Sequence, residues 1–347
     1  MRKLLFVFLA ALGLFLEEVK AQDPQFSQFY AAPLYINPAF TGASEYTRIG
    51  ANYRNQWPSL DASFVTFSAY GDHFIEKYNS GVGMIITTDQ EGLAGLRSTS
   101  IGASYAYQLQ LSDKLVFRPG FQLGYTSRNV NFTDLVWGSQ LNPITGYDKT
   151  QPGENIGSGE RVSYLDISVG GILFSKNLFI GVSAFHLNEP NQSLIDGESP
   201  LPMRISVHGG YKIMLKSGGL RNDLTYTKKE RSLTPVFQYK SQGPFQILDV
   251  GAYLHLEPIN IGVTYRGFPL GGLETATGTQ FPQNEALVFA FGITTDNMNI
   301  GYSYDYTISE LGASSGGAHE FSISYFFKMG KTNRAPRNRW KIPCPKN

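Results

Sequence analysis

The chain has 347 residues, of which 16% are charged and 14% aromatic, with 37 Gly, 20 Tyr and 24 Phe. Its formal net charge is +1 and its single cysteine is Cys344. A balance this neutral argues against a nucleic-acid partner, and one cysteine excludes an intrachain disulfide framework.

In chain order, residues 1–21 read as a cleaved secretory signal peptide. Arg2 and Lys3 form its basic start and Leu4–Leu16 its apolar run, and Val19-Lys20-Ala21 offers small residues before a cut at Gln22. That run is shorter than the roughly 20 apolar residues of a membrane-spanning helix. No later stretch approaches that length, so a mature chain that enters a membrane must do so as an edge-free sheet. Removing residues 1–21 leaves 26 basic and 26 acidic side chains. Residues 22–44 lack sustained alternation and hold three prolines and several aromatics. Phe26, Phe29, Tyr30, Tyr35 and Phe40 are costly to leave in water. An ordered periplasmic or plug-like segment with partner-binding aromatics is expected there, against the alternative of a flexible leader.

From residue 45 to 329 the dominant pattern has period two. In 298–308, Met298, Ile300, Tyr302, Tyr304, Tyr306 and Ile308 alternate with Asn299, Gly301, Ser303, Asp305 and Thr307. Fourteen such segments fall near 46–57, 62–73, 80–89, 97–111, 114–128, 162–174, 178–188, 203–215, 232–241, 245–256, 259–267, 285–295, 298–308 and 318–329. Most exceed the about 5–6 residues of strands in soluble domains and match the about 9–11 of a tilted membrane-spanning strand. Connections at 112–113, 175–177, 257–258 and 296–297 are short, whereas 129–161, 189–202, 268–284 and 309–317 are long. This is the turn and loop asymmetry of outer-membrane barrels; the long, charged connection 216–231 breaks it. The polar faces carry mainly Gly, Ser, Asn, Gln and Thr. A soluble sandwich or propeller would also alternate, but its solvent face would carry more Lys, Glu and Arg. The expected fold is all-β: a transmembrane antiparallel β-barrel of about 14 strands.

The last strand pattern, Phe321, Ile323, Tyr325 and Phe327, looks like a terminal signal for the barrel-assembly machinery, and equally like a lipid-facing stripe. Beyond it, 330–347 forms a basic tail of six Lys and Arg with no acid. Arg337, Arg339 and Trp340 there are candidates for docking an acidic periplasmic partner, although chain termini are commonly solvated. Cys344 reads as an inert thiol.

Several of these features together resemble one family. Gln22-Asp23-Pro24-Gln25-Phe26-Ser27-Gln28, then Leu34-Tyr35-Ile36-Asn37-Pro38-Ala39-Phe40-Thr41-Gly42, then Tyr53-Arg54-Asn55-Gln56-Trp57 resemble the start of PorP/SprF type IX secretion membrane proteins. His319-Glu320-Phe321-Ser322-Ile323-Ser324-Tyr325 looks like the family's closing strand, and Cys344-Pro345 is similar to the end of some members. The resemblance implies an integral outer-membrane protein of Bacteroidetes, embedded in outer-membrane lipids. It implies a non-catalytic component that binds, helps export or anchors a surface protein bearing a C-terminal sorting domain, such as a gliding adhesin. A periplasmic ring or lipoprotein of the same system is a further implied partner. Core machinery and dedicated partner of one surface protein are both open on the sequence, and a passive porin or small-molecule transporter is the competing reading.

Enzymatic, metal and cofactor motifs are weak. The histidines at 73, 186, 208, 255 and 319 are scattered without ligand spacing. His255 and Glu257 share a strand face and are expected to form a luminal hydrogen-bonded pair. No cofactor is expected, and no serine or histidine stands out as a nucleophile or base.

Overall fold

The computed structural model describes residues 22–44, 46–60, 63–92, 95–130, 141–142, 146–147, 161–194, 197–215, 230–274, 280–309, 312–327 and 342–345. The signal-peptide expectation (1–21) and the tail candidates Arg337, Arg339 and Trp340 lie outside these residues.

Fourteen antiparallel spans form one closed barrel: β1 Thr47–Gln56, β2 Phe64–Ile75, β3 Ser80–Glu91, β4 Leu96–Tyr107 continuing as Leu109–Ser112, β5 Leu115–Asn129, β6 Arg161–Phe174, β7 Leu178–Phe185, β8 Arg204–Tyr211 continuing as Ile213–Met214, β9 Arg231–Gln242, β10 Phe245–Leu256, β11 Ile259–Glu274, β12 Gln280–Thr294, β13 Met298–Thr307 and β14 Ala318–Phe327. Each pairs with its sequence neighbour, and β1 pairs with β14 from Thr47↔Phe327 to Gln56↔Ala318, which removes both edges. β8 bonds directly to β9, so the 216–231 connection inserts no strand between them. A two-residue ladder, Leu141–Asn142 with Gly146–Tyr147, sits in the β5–β6 connection.

The alternation sorts the two faces as their chemistry requires. Phe121, Leu123, Tyr125, Phe289, Phe291 and Phe321 are exposed outward. Their neighbours in sequence, such as Gln122, Val288, Ala290 and Glu320, are buried inward. Small polar groups suit the interior because they leave room and can hydrogen-bond there. Hydrocarbon around the barrel accepts only the other set.

The start of β1 at Thr47, the end of β14 at Phe327 and the last described residues, 342–345, lie at the end that carries most of the short turns (the turn end). Most of the longer connections gather at the opposite, loop end, the exceptions being 215–230 at the turn end and the two-residue turn 243–244 at the loop end. The expected 268–284 loop is much shorter than its composition suggests. β11 and β12 extend to Glu274 and from Gln280, through register shifts at Arg266/Gly267 and Phe268/Gly272. Bulges absorb Pro269, Gly271, Gly272 and Pro282, which interrupt the alternation without ending the pairing. The bulge opposite Gly267 places both Glu285 and Ala286 on the luminal side.

Candidate functional site

The interior of the barrel is occupied by residues 22–44. Three short turns follow one another: a 3₁₀ turn at Phe29–Ala31, one α-helical turn at Pro33–Ile36 and a second 3₁₀ turn at Pro38–Phe40. Pro33 and Pro38 start their turns, where a missing N–H costs nothing. Asn37 caps the last turn by accepting from the Ala39 N–H at 2.9 Å, and its amide donates to the carbonyls of Gly171 and Val182 at 3.3 and 3.0 Å. One side chain thus shapes the segment and fastens it to β6 and β7.

The segment runs along the lumen from the loop end to the turn end. At the loop end the Asp23 carboxylate accepts from His186 Nε2 at 2.7 Å and from Arg204 Nη1 at 2.9 Å. The other ring nitrogen of His186, just past β7, faces Asp166 Oδ1 at 3.0 Å. Burial alone would lower the His186 pKa, but the Asp23 charge and the two carboxylate hydrogen bonds raise it to about 9. Burial opposes ionisation of Asp23, and His186 and Arg204 outweigh it, holding that carboxyl well below its usual range.

Midway, strand charges converge on Ser27 and Gln28. The backbone N–H groups of Ser27 and Gln28 donate to Glu320 at 2.6 and 3.1 Å, and the Ser27 hydroxyl donates to Asp305 at 2.6 Å. Arg54 and Arg266 reach Asp305 at 2.9 and 3.1 Å, and Arg266 also pairs with Asp249 at 2.7 Å. Gln25 donates to Glu285 at 2.8 Å and accepts from Lys240 at 2.7 Å. Buried charges are tolerable only when paired in this way.

Towards the turn end, Arg118 donates to the carbonyls of Ala39 and Thr41, and the Gly42 N–H donates to Asp72 at 2.7 Å. Tyr70 and Tyr30 hydroxyls donate to Ala31 and Gly209 carbonyls at 2.9 and 3.3 Å. Phe40 stacks on His208 at 5.6 Å, and Phe26 meets Tyr35 edge-on at 5.1 Å.

The segment separates two chambers. A cavity of about 110 Å³ near the loop end is lined by Asp89, Glu91, Arg128, Tyr164, Asp166 and His186 among others. One of about 400 Å³ at the turn end is lined partly by Tyr30, Tyr70 and Phe326, with Ile342 and Cys344 of the chain's own end reaching into it. Burial pushes the Cys344 thiol far up, which favours its protonated form.

Phe29, Tyr30 and Phe40 share one buried luminal cluster, whereas half-buried Tyr35 packs against a second one with Leu34, Tyr70 and Ile85, and buried Phe26 meets Tyr35 outside both. Phe321, Ile323 and Tyr325 stand on the outer face of β14, with Phe327 partly covered at its end. Sequence reading passed over the luminal charges Arg54, Asp72, Arg118, Arg204, Asp249, Arg266, Asp305 and Glu320. Their signal was present: each is a charge on a polar face made mainly of neutral residues. His255 bonds to Asn260, and the Glu257 carboxylate accepts from the Glu230 N–H at 2.8 Å, so those two do not form the expected pair. Among the described residues no group of three or more His, Cys, Asp or Glu could hold a metal. Ser27, the hydroxyl with the densest charge around it, is 1% exposed and unreachable by a substrate in this arrangement.

Comparison with known proteins gives a family match over most of the chain. The family described as type IX secretion system membrane protein PorP/SprF matches residues 18–325. Among solved structures, the chain is similar to the outer-membrane protein Omp33 of Acinetobacter baumannii at 9% identity and TM-score 0.41, over 83% of this chain and 100% of that one. It is similar to a mutant of the TodX monoaromatic hydrocarbon channel at 11% and 0.45, over 86% and 94%. A FadL homologue of Pseudomonas aeruginosa is similar at 10% and 0.41, over 84% and 92%. No curated protein matches.

Proposed function

The chain belongs to the PorP/SprF family of type IX secretion system membrane proteins, and from that premise we propose that it binds a secreted surface protein bearing a C-terminal sorting domain and helps to export or anchor it, without bond chemistry. The observation that carries this reading is the filled lumen: residues 22–44 are bonded to strands around the barrel and separate its two chambers. A barrel whose lumen is occupied in this way is suited to work through its surfaces. The loop end offers contacts to an exported protein. The last strand ends with Phe327 at the turn end, and the basic run that follows it in sequence includes Arg337, Arg339 and Trp340. Other secretion components, such as a periplasmic ring or lipoprotein, fit that end by charge. The aromatics Phe26, Phe29, Tyr30, Tyr35 and Phe40 serve a partner indirectly, by holding the frame rigid. The filled lumen weighs against the passive porin.

Affinity purification from native membranes tests the reading. The expected result is one large surface protein recovered in near-equal amount, together with secretion components. Recovery of the barrel alone, combined with ion conductance by the purified protein, would refute it.

A further inference from the structure

On the outer face near the loop end, strand register aligns four residues in one row: Gln90↔Arg97, Arg97↔Asn129 and Asn129↔Arg161 across β3, β4, β5 and β6. The next row towards the barrel waist is Thr88, Thr99, Ser127 and Ser163, and the next is Ile86, Ile101, Tyr125 and Leu165. The last four are 38%, 40%, 48% and 59% exposed, which places them in the apolar belt. Over three rows the face therefore passes from hydrocarbon-compatible to hydroxyl to cationic.

Arg97 and Arg161 are exposed and separated by the single residue Asn129, so their backbones stand about 10 Å apart at about 4.8 Å per strand. Arg97 donates to Gln90 Oε1 at 3.3 Å and Arg161 Nε to Ser127 Oγ at 2.7 Å. These bonds lay both guanidiniums along the face, and each retains donors for another acceptor. The four-residue row contains no carboxylate. Arg231, which also alternates outward, lies at the opposite end of the barrel.

We infer that this row is a binding site for the phosphorylated headgroup of an outer-leaflet glycolipid, with Arg97 and Arg161 holding phosphate and the lipid's acyl chains lying on Ile86, Ile101, Tyr125 and Leu165. Short turns mark the periplasmic end of such barrels, so the loop end meets the outer leaflet. Two fork-shaped donors match phosphate oxygens bidentately. The continuity of the cationic row with the belt selects a lipid, since free phosphate gains nothing from the apolar rows. An acidic protein would have to displace lipid to reach them.

Native mass spectrometry of the full-length barrel in detergent tests this with diphosphorylated lipid A, its dephosphorylated form and inorganic phosphate as probes. Wild type should retain diphosphorylated lipid A, and the double variant Arg97→Gln/Arg161→Gln at least tenfold less. Dephosphorylated lipid should bind both proteins weakly, Arg231→Gln should behave as wild type, and inorganic phosphate should compete only at high concentration. Both exchanges are at exposed positions, and heat-modifiable mobility confirms that the barrel has folded. Equal retention by wild type and double variant, or equal binding of the two lipids by wild type, would overturn the inference. So would phosphate binding as tight as that of the lipid.

Discussion

His186 has a carboxylate on each ring nitrogen, Asp23 from the luminal segment and Asp166 from β6. Both bonds need the ring protonated, because a neutral imidazole can donate from only one nitrogen. Its pKa is raised to about 9 from an ordinary value of about 6.5. A raised value means that the stabilisation is complete below about pH 6.5 and is lost as pH climbs through about 9. The contribution is on the order of 3 kcal/mol at most. The melting temperature of the protein in detergent should therefore fall between pH 6.5 and 10. In His186→Gln that slope should flatten while melting at neutral pH drops. A wild-type curve with no slope over this range would show that the ring does not hold the segment by charge.

At the scale of elements, the luminal segment fits against strands whose glycines allow close approach. A Cβ on Gly120 of β5 would come within 2.3 Å of the Ala39 nitrogen, and one on Gly170 of β6 within 2.0 Å of Asn37 Oδ1. Gly120→Val and Gly170→Val should leave the barrel folded, with normal heat-modifiable mobility, and expel the turn at Pro38–Phe40 at a cost of about 1–3 kcal/mol. Limited proteolysis should then cleave within 22–44, where wild type resists; equal resistance would contradict the packing. The strands themselves were legible from sequence, because period-two alternation such as Tyr302, Tyr304 and Tyr306 against Ser303 and Asp305 leaves little else for the chain to form. The ends of β11 and β12 were not, since bulges around Phe268 and Gly272 carry pairing through Gly and Pro that ordinarily signal a loop. The aromatics of 22–44 announced burial by their cost in water. Their partners did not announce themselves, because contacts such as Ser27 with Glu320 join positions 293 residues apart and no local pattern encodes them.

For the whole molecule, residues 22–44 occupy the lumen between the two chambers, and conductance tests whether they block it. Intact protein in planar bilayers should show little steady current. Deleting residues 22–40 should open the path joining the two chambers and give measurable conductance, with membrane insertion kept. Current from the intact protein equal to that of the deletion would place the block elsewhere. The segment also bears on how the barrel completes itself. Arg54 of β1 and Glu320 of β14 face each other across the joint between the first and last strands, 3.6 Å apart, and Ser27 and Gln28 bind that same Glu320. Ser27 and Gln28 therefore find part of their anchor on the strand that comes last in the chain. A barrel that stalls before its final hairpin lacks Asp305 and Glu320, the carboxylates that hold Ser27 and Gln28, so full seating of this stretch is tied to circular closure of the wall.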